Sequence, residues 1–205
     1  AQSLNSPKLI EHMRNHDKLI SKKIGILNQV VENKTTLRVN NLESHDDAII
    51  LDWVDFIENR YRRPESLDEV LILLPCSARK PYSASRSHKY FRNAINHNSA
   101  HEVMVTSPRG LDARDIETVW PAGYYDIPVT GDWAESELTR IQNMLLALIS
   151  NNSYRVVINH SGIDLKCPIP VIDTRQGYKA TSDEALELLS TAVSKNMQKK
   201  RRGGE

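Results

Sequence analysis

From Pro75 to His88 the chain reads Pro-Cys-Ser-Ala-Arg-Lys-Pro-Tyr-Ser-Ala-Ser-Arg-Ser-His, which gathers a thiol, cations, a phenol, hydroxyls and an imidazole into one short stretch. A thiol attacks as its thiolate, and cations or a helix N-terminus favour that form. Cys76 stands beside Arg79 and Lys80 and ahead of a helix start, so a reactive sulfur is expected there; the alternative is the small buried hydrophobe that most free cysteines are. Cys167, set between Lys166 and Pro168, has no such company and reads as structural.

The neighbours of Cys76 each carry two readings. His88 follows Ser85 by three positions, which puts both on one helical face, and its imidazole suits proton transfer near neutral pH as well as an ordinary helix surface. Arg79 and Lys80 suit a carboxylate or phosphate, or a solvated turn. Tyr82 would stack on a base, donate a hydrogen bond, or pack beneath the loop. Ser85 reads as substrate contact or helix cap.

Three further groups lie beyond the motif. Asp126, within Tyr124-Tyr125-Asp126-Ile127-Pro128, suits reading the amidine face of a guanine-like base or acid–base work, with turn formation before Pro128 as the alternative. Ser107 and Arg109 would offer anion contacts at a strand end. Asn159, His160, Ser161 and Gly162 form another cluster, which also suits a simple turn. Cys76, His88, His160 and Cys167 lack the close ligand spacing of a metal centre, so neither a metal nor a cofactor is expected.

The elements that must position these groups follow from periodicity. The aliphatic run Val70, Leu71, Ile72, Leu73, Leu74, ended by Pro75, reads as a buried strand. Strands are expected over residues 69–74, 102–106, 155–159 and 170–173, with helices over 85–96, 134–150 and 182–195. Asp132 with Glu135, and Thr181 with Glu184, resemble capping boxes. Single strands alternating with helices predict a mostly parallel sheet covered on both faces, a three-layer α/β/α body over residues 66–198. Reactive loops at the carboxyl ends of its strands would open into one crevice. Residues 1–65 are expected as a helical subdomain. Ser6-Pro7 would start its first helix, and another would run from 44 to 62 with Ser44 and Asp47 at its start. Residues 199–205 form a basic tail expected to be mobile.

Composition narrows the class. The chain has 205 residues, 40% hydrophobic, with 27 Lys and Arg against 26 Asp and Glu. That supports a real core and no global field for nucleic acid, so RNA binding must rest on local patches; Arg60, Arg62, Arg63 and Lys199 to Arg202 are the evident basic groups. Two distant cysteines and no membrane-length apolar run lead to the expectation of a soluble, cytoplasmic protein with no membrane association.

The motif also resembles a known family. Pro75, Cys76, Lys80, Pro81, Tyr82, Ser85 and His88 match the Pro-Cys-x-x-x-Lys-Pro-Tyr-x-x-Ser-x-x-His signature of archaeosine synthases, and residues 106–110 and 125–131 are similar to the same family. The resemblance implies tRNA modification, in which an amine is added to the nitrile of a cyano-deazaguanine base to give an amidine. It also implies a uracil-DNA glycosylase-like fold, tRNA as partner, transglycosylase-like and PUA-type RNA-binding domains or chains, and a radical-SAM partner for lysine as donor. Cys76 is then the candidate nucleophile, His88 or Asp126 the proton carrier, and Arg79 or Lys80 the anion holder. On that reading the chain is a fragment or split subunit. The rival readings are a non-catalytic tRNA-binding or assembly subunit and a glycosylase-like nucleobase enzyme.

Overall fold

The computed structural model describes residues 37–38, 48–96, 99–119, 121–123, 125–126 and 133–197, with no side-chain description for 37, 38, 125 and 126. The helices expected before residue 48, the cap at Ser44, Asp132 and the 199–205 tail lie outside these residues. Leu37–Arg38 is a two-residue strand in a unit of its own. The rest of the description concerns the larger unit.

Its sheet is built on Val70–Pro75 (β1), an apolar run whose first five residues are buried. His101–Thr106 (β2) pairs with it in parallel, Leu71 opposite His101 and Pro75 opposite Val105. On the other side Val156–Asn159 (β4) pairs in parallel with β1, and Val171–Asp173 (β5) with β4. Gly110–Ala113 (β3) turns back antiparallel to β2. The order is β3-β2-β1-β4-β5. The four parallel strands match the sequence expectation. Unexpected was β3, whose four residues include Gly110 and Asp112, too short and too polar for periodicity to mark it.

Alternation along β1 divides the core in two. Leu71 and Leu73 face a cluster with Trp53 and Ile57 of Ala48–Asp55 (α1) and its continuing π-helical turn Phe56–Arg60, and with Ile141, Met144, Leu145 and Leu148 of Glu135–Asn151 (α3). Val70, Ile72 and Leu74 face Phe91 and Ile95 of Arg86–Ile95 (α2) and Leu189, Ala192 and Val193 of Asp183–Met197 (α4). Helices therefore cover both faces, as a parallel sheet requires. The α1 helix, expected in a separate arm, instead shares the body's core through Trp53, whose indole donates to the Leu111 carbonyl at 3.0 Å. Among the described residues no helix is long and apolar enough to cross a membrane.

The caps differ from those expected. At α3 the Glu137 carboxylate accepts from the Ala134 amide at 2.7 Å, the carboxylate half of a box without a side-chain cap at Ala134, two residues after the Asp132–Glu135 pair. At α4 it is Ser182, not Thr181, whose hydroxyl accepts from a helix amide, that of Ala185.

Gly110 occupies the left-handed region at φ +87, and a Cβ there would stand 2.3 Å from the buried Met144 sulfur. Gly110→Ala should cost about 1–3 kcal/mol, from backbone strain and overpacking together. Urea midpoints would check this; an unchanged midpoint would mean the turn relaxes freely.

Candidate active site at the carboxyl end of the sheet

The chain leaves β1 for β2 on one side and later returns to place β4 on the other, so connections diverge at the carboxyl end of the central strand. Such a switch point leaves a crevice between the loops. The loop after β1 begins with Cys76; the loop after β4 begins with His160–Gly162.

Cys76 is half-buried, packed partly against the α2–α4 core. The Thr106 hydroxyl hydrogen-bonds its sulfur, and the Lys80 ammonium favours the thiolate. Burial outweighs both and pushes the thiol's pKa up, with the Asp112 carboxylate adding to the rise. The expectation of a lowered pKa is therefore corrected. The cations were read rightly as neighbours, but Arg79 is exposed, and desolvation dominates the one that reaches in. At neutral pH the sulfur rests as a thiol.

The rest of the motif is bound into the scaffold. Lys80 donates to the Ser77 carbonyl and lies over the Tyr82 ring, 4.3 Å from its centroid. Tyr82 is fully buried, and its hydroxyl donates to Asp112 at 2.8 Å, leaving no ring face for stacking a base. Ser85 caps α2 by accepting from the His88 amide at 3.2 Å. Arg109 is also fully buried; it pairs with Asp112, donates to the Pro121 carbonyl at 3.0 Å and lies over the Trp53 ring. Its guanidinium serves the fold, which removes it from the anion contacts expected of it. Ser107 donates to Glu137 at the start of α3.

His88 is buried between the Tyr82 and Phe91 rings. Arg114 donates to its Nδ1 at 2.8 Å. Because a guanidinium cannot accept, Nδ1 must be the lone-pair nitrogen and Nε2 carries the proton. Nε2 is buried without a hydrogen-bond partner of sound geometry among the described residues, though the Pro75 carbonyl attracts it. Burial first, then the Arg114 charge, pushes the His88 pKa down to about 3. It faces the backbone just before Cys76 as a neutral group. Arg114 is itself held by Glu102 at 2.6 Å and Glu117 at 3.1 Å.

His160, at the end of β4, is buried as well; its two nitrogens meet the Thr174 hydroxyl and the Ala180 carbonyl, each at 2.8 Å. Burial pushes its pKa down to about 4. Asn159 braces the following turn by accepting from the Ser161 amide and hydroxyl. Asp126 lies in the two-residue strand Tyr125–Asp126, and its side chain is outside the description. Among the described residues no cluster of His, Cys, Asp or Glu could hold a metal ion.

Thr106 and Arg175 were not anticipated from sequence. Arg175 is half-buried after β5, donates to the Tyr178 carbonyl at 2.7 Å, and reaches over Gly162, where a Cβ would meet its guanidinium at 2.9 Å. Thr106 ends a strand whose last residue could have been noted; Arg175 sits in a turn with no local signal.

The two buried histidines set an acid limit on stability. Unfolded, each binds a proton near pH 6.5; folded, each stays neutral down to about 3 and about 4. Their contribution is complete above about pH 6.5 and is lost as pH falls toward those values, at about 2 kcal/mol per histidine by pH 5. Denaturation midpoints from pH 8 to 5 should fall accordingly and fall less steeply in His88→Gln; a flat profile would contradict the neutral burial.

Comparison with known proteins identifies the family of the chain. A family model described as Domain of unknown function (DUF5591) matches residues 50–193, from α1 into α4. The chain belongs to the DUF5591 family. The domain is 42% identical over 118 residues to the archaeosine synthase of Haloferax volcanii, covering 58% of this chain and 20% of that protein. It is 37% identical over 124 residues to archaeosine synthase subunit alpha of Thermoplasma acidophilum, covering 60% and 24%. The resemblance first seen in the motif thus extends over more than half of the chain, while the chain spans about a quarter or less of these relatives' length. The crystal structure of AF0587, a protein of unknown function, has the same fold, with a TM-score of 0.53 and 24% identity over 69% of this chain and 49% of that one.

Proposed function

We propose that this DUF5591 domain handles the nitrile of a cyano-deazaguanine base in tRNA, as the part of an archaeosine synthase that forms the amidine, with Cys76 as nucleophile. The observation that carries this reading is the placement of Cys76: half-buried at the end of the central strand, at the switch point, between the Thr106 hydroxyl and the Lys80 ammonium. The sequence similarity to archaeosine synthases supports the substrate class.

A nitrile carbon is electrophilic, and adding a thiol splits amidine formation into two easier steps. The Cys76 Sγ–carbon bond forms while the thiol proton passes to the nitrile nitrogen, giving a thioimidate. An amine then adds at that carbon, the Sγ–carbon bond breaks, and the sulfur leaves to be reprotonated, freeing the amidine. A thiol that rests protonated fits this sequence, because it carries the proton the nitrile nitrogen needs. Asp126 is the candidate for moving the remaining protons, and the neutral His88 imidazole lies beside the Pro75 carbonyl just before Cys76. Arg79 holds an anionic group of the substrate.

The wider assignments belong to the same proposal. Helices on both sheet faces support a uracil-DNA glycosylase-type arrangement. Transglycosylase-like and PUA-type RNA-binding domains would complete the enzyme, with a radical-SAM partner when lysine is the donor, acting in the cytoplasm.

Intact-mass measurement with the free nitrile base tests the chemistry. An adduct of the base's full mass is expected on Cys76, together with protection of Cys76, but not Cys167, from alkylation. Equal labelling of both cysteines with no adduct would refute the role of Cys76.

A further inference from the structure

Although the chain is nearly neutral, its charge is not evenly spread. Between Glu69 and Glu102 there is no carboxylate, yet Arg79, Lys80, Arg86, Lys89 and Arg92 all fall there. The helix α2 turns His88, Phe91 and Ile95 into the core. Its outer side carries Arg86, Lys89, Tyr90 and Arg92, all exposed, with Arg79 exposed in the loop before it.

The partners of these cations separate them from other basic groups. Among the described residues, the side chains of Arg79, Lys89 and Arg92 make no ion pair or hydrogen bond. Arg86 engages only Tyr90, donating to its hydroxyl at 3.2 Å with the guanidinium 5.8 Å from the ring. By contrast, Arg60 is paired with Asp55 at 2.6 Å, and Arg62 and Arg63 donate to nearby backbone carbonyls. Those three were among the basic candidates in sequence, and the fold uses them; the others, residues 199–202, lie outside the described residues. The α2 cations are left to solvent.

From these observations we infer that the outer face of α2 is a docking surface for an RNA phosphate backbone, leading along the helix from the Cys76 loop. This rests on the proposed tRNA reading and adds where the RNA lies. A helix rising 1.5 Å per residue spreads Arg86, Lys89 and Arg92 over about 9 Å, enough to meet successive phosphates rather than one ion. Tyr90 is 39% exposed among them and offers an aromatic face to a base or sugar, a pairing of aromatic and cation that single-stranded RNA sites use. The α4 helix packs beside α2 and carries the exposed Asp183, Glu184 and Glu187.

Binding of a labelled, unmodified tRNA transcript to the full chain, followed by fluorescence anisotropy at 50 to 200 mM salt, tests the surface. The pair Lys89→Glu and Arg92→Glu should weaken binding about 10- to 100-fold and reduce the salt slope by about two. Arg62→Glu with Lys166→Glu, equal in net charge change, should alter it little. No binding by the unaltered chain at 50 mM salt, or equal losses in both pairs, would overturn the inference. So would a poly-glutamate peptide that binds α2 as tightly as the RNA does, which would assign the surface to an acidic protein. Alkylation of Cys76 with and without the free nitrile base, run on every variant, keeps the two proposals separate. Protection there judges the cysteine alone, and anisotropy judges α2 alone.

Discussion

Replacing Cys76 with alanine should abolish amidine formation on nitrile-bearing tRNA while leaving the protein folded. Loss of the attacking atom removes both steps, so activity should fall by at least about three orders of magnitude. The side chain is half-buried and loses only a sulfur, so stability should change by about 1 kcal/mol. Nucleoside mass spectrometry on the reconstituted reaction gives the first quantity and a urea midpoint the second. Full conversion by the alanine variant would remove the thioimidate from the mechanism. The pH profile adds an independent mark: because burial raises the thiol's pKa, alkylation of Cys76 should keep accelerating beyond the pH at which an exposed thiol has levelled off.

Arg109→Ala should be the most damaging change to the scaffold. The guanidinium and the Asp112 carboxylate are both fully buried and paired, and removing one leaves the other charged in a dry environment. Such a loss costs about 3–5 kcal/mol, a large share of a domain's stability. The effect should spread, because Arg109 also holds the carbonyls of Pro121 and Ala122 and lies over Trp53, while Asp112 receives the Tyr82 hydroxyl. Adding Asp112→Asn to an Arg109→Met background should recover part of the loss by removing the stranded charge. A midpoint for Arg109→Ala close to that of the unaltered protein would show that the pair does not hold the domain together.

Much of the architecture was legible because it rests on periodicity. The Val70–Leu74 run, ended by Pro75, reads as a buried strand, and single strands between helices favour parallel pairing. What escaped was set by partners distant in sequence. The strand β3 has little pattern of its own and is held by pairing with β2 and by the Trp53 indole. In the site, residue types were read correctly and their roles less well. Arg109 and Tyr82 look like ligand-binding groups until Asp112, in the strand that was missed, is found between them. Ser85 follows the simpler of its two readings, as a cap, and the Cys76 environment turned on desolvation, which no spacing reveals.

The strand that forms the middle of the sheet is also the first of the five to be synthesised. Leu71 finds its partner only when His101 has been made, and Val70 waits for Val156, beyond all of α3. Until then five consecutive aliphatic residues with no charge among them stand unpaired on both sides, the kind of segment that templates aggregation. The nascent domain therefore carries this hazard from its first sheet strand onward, and a pause in translation before β4 would prolong it.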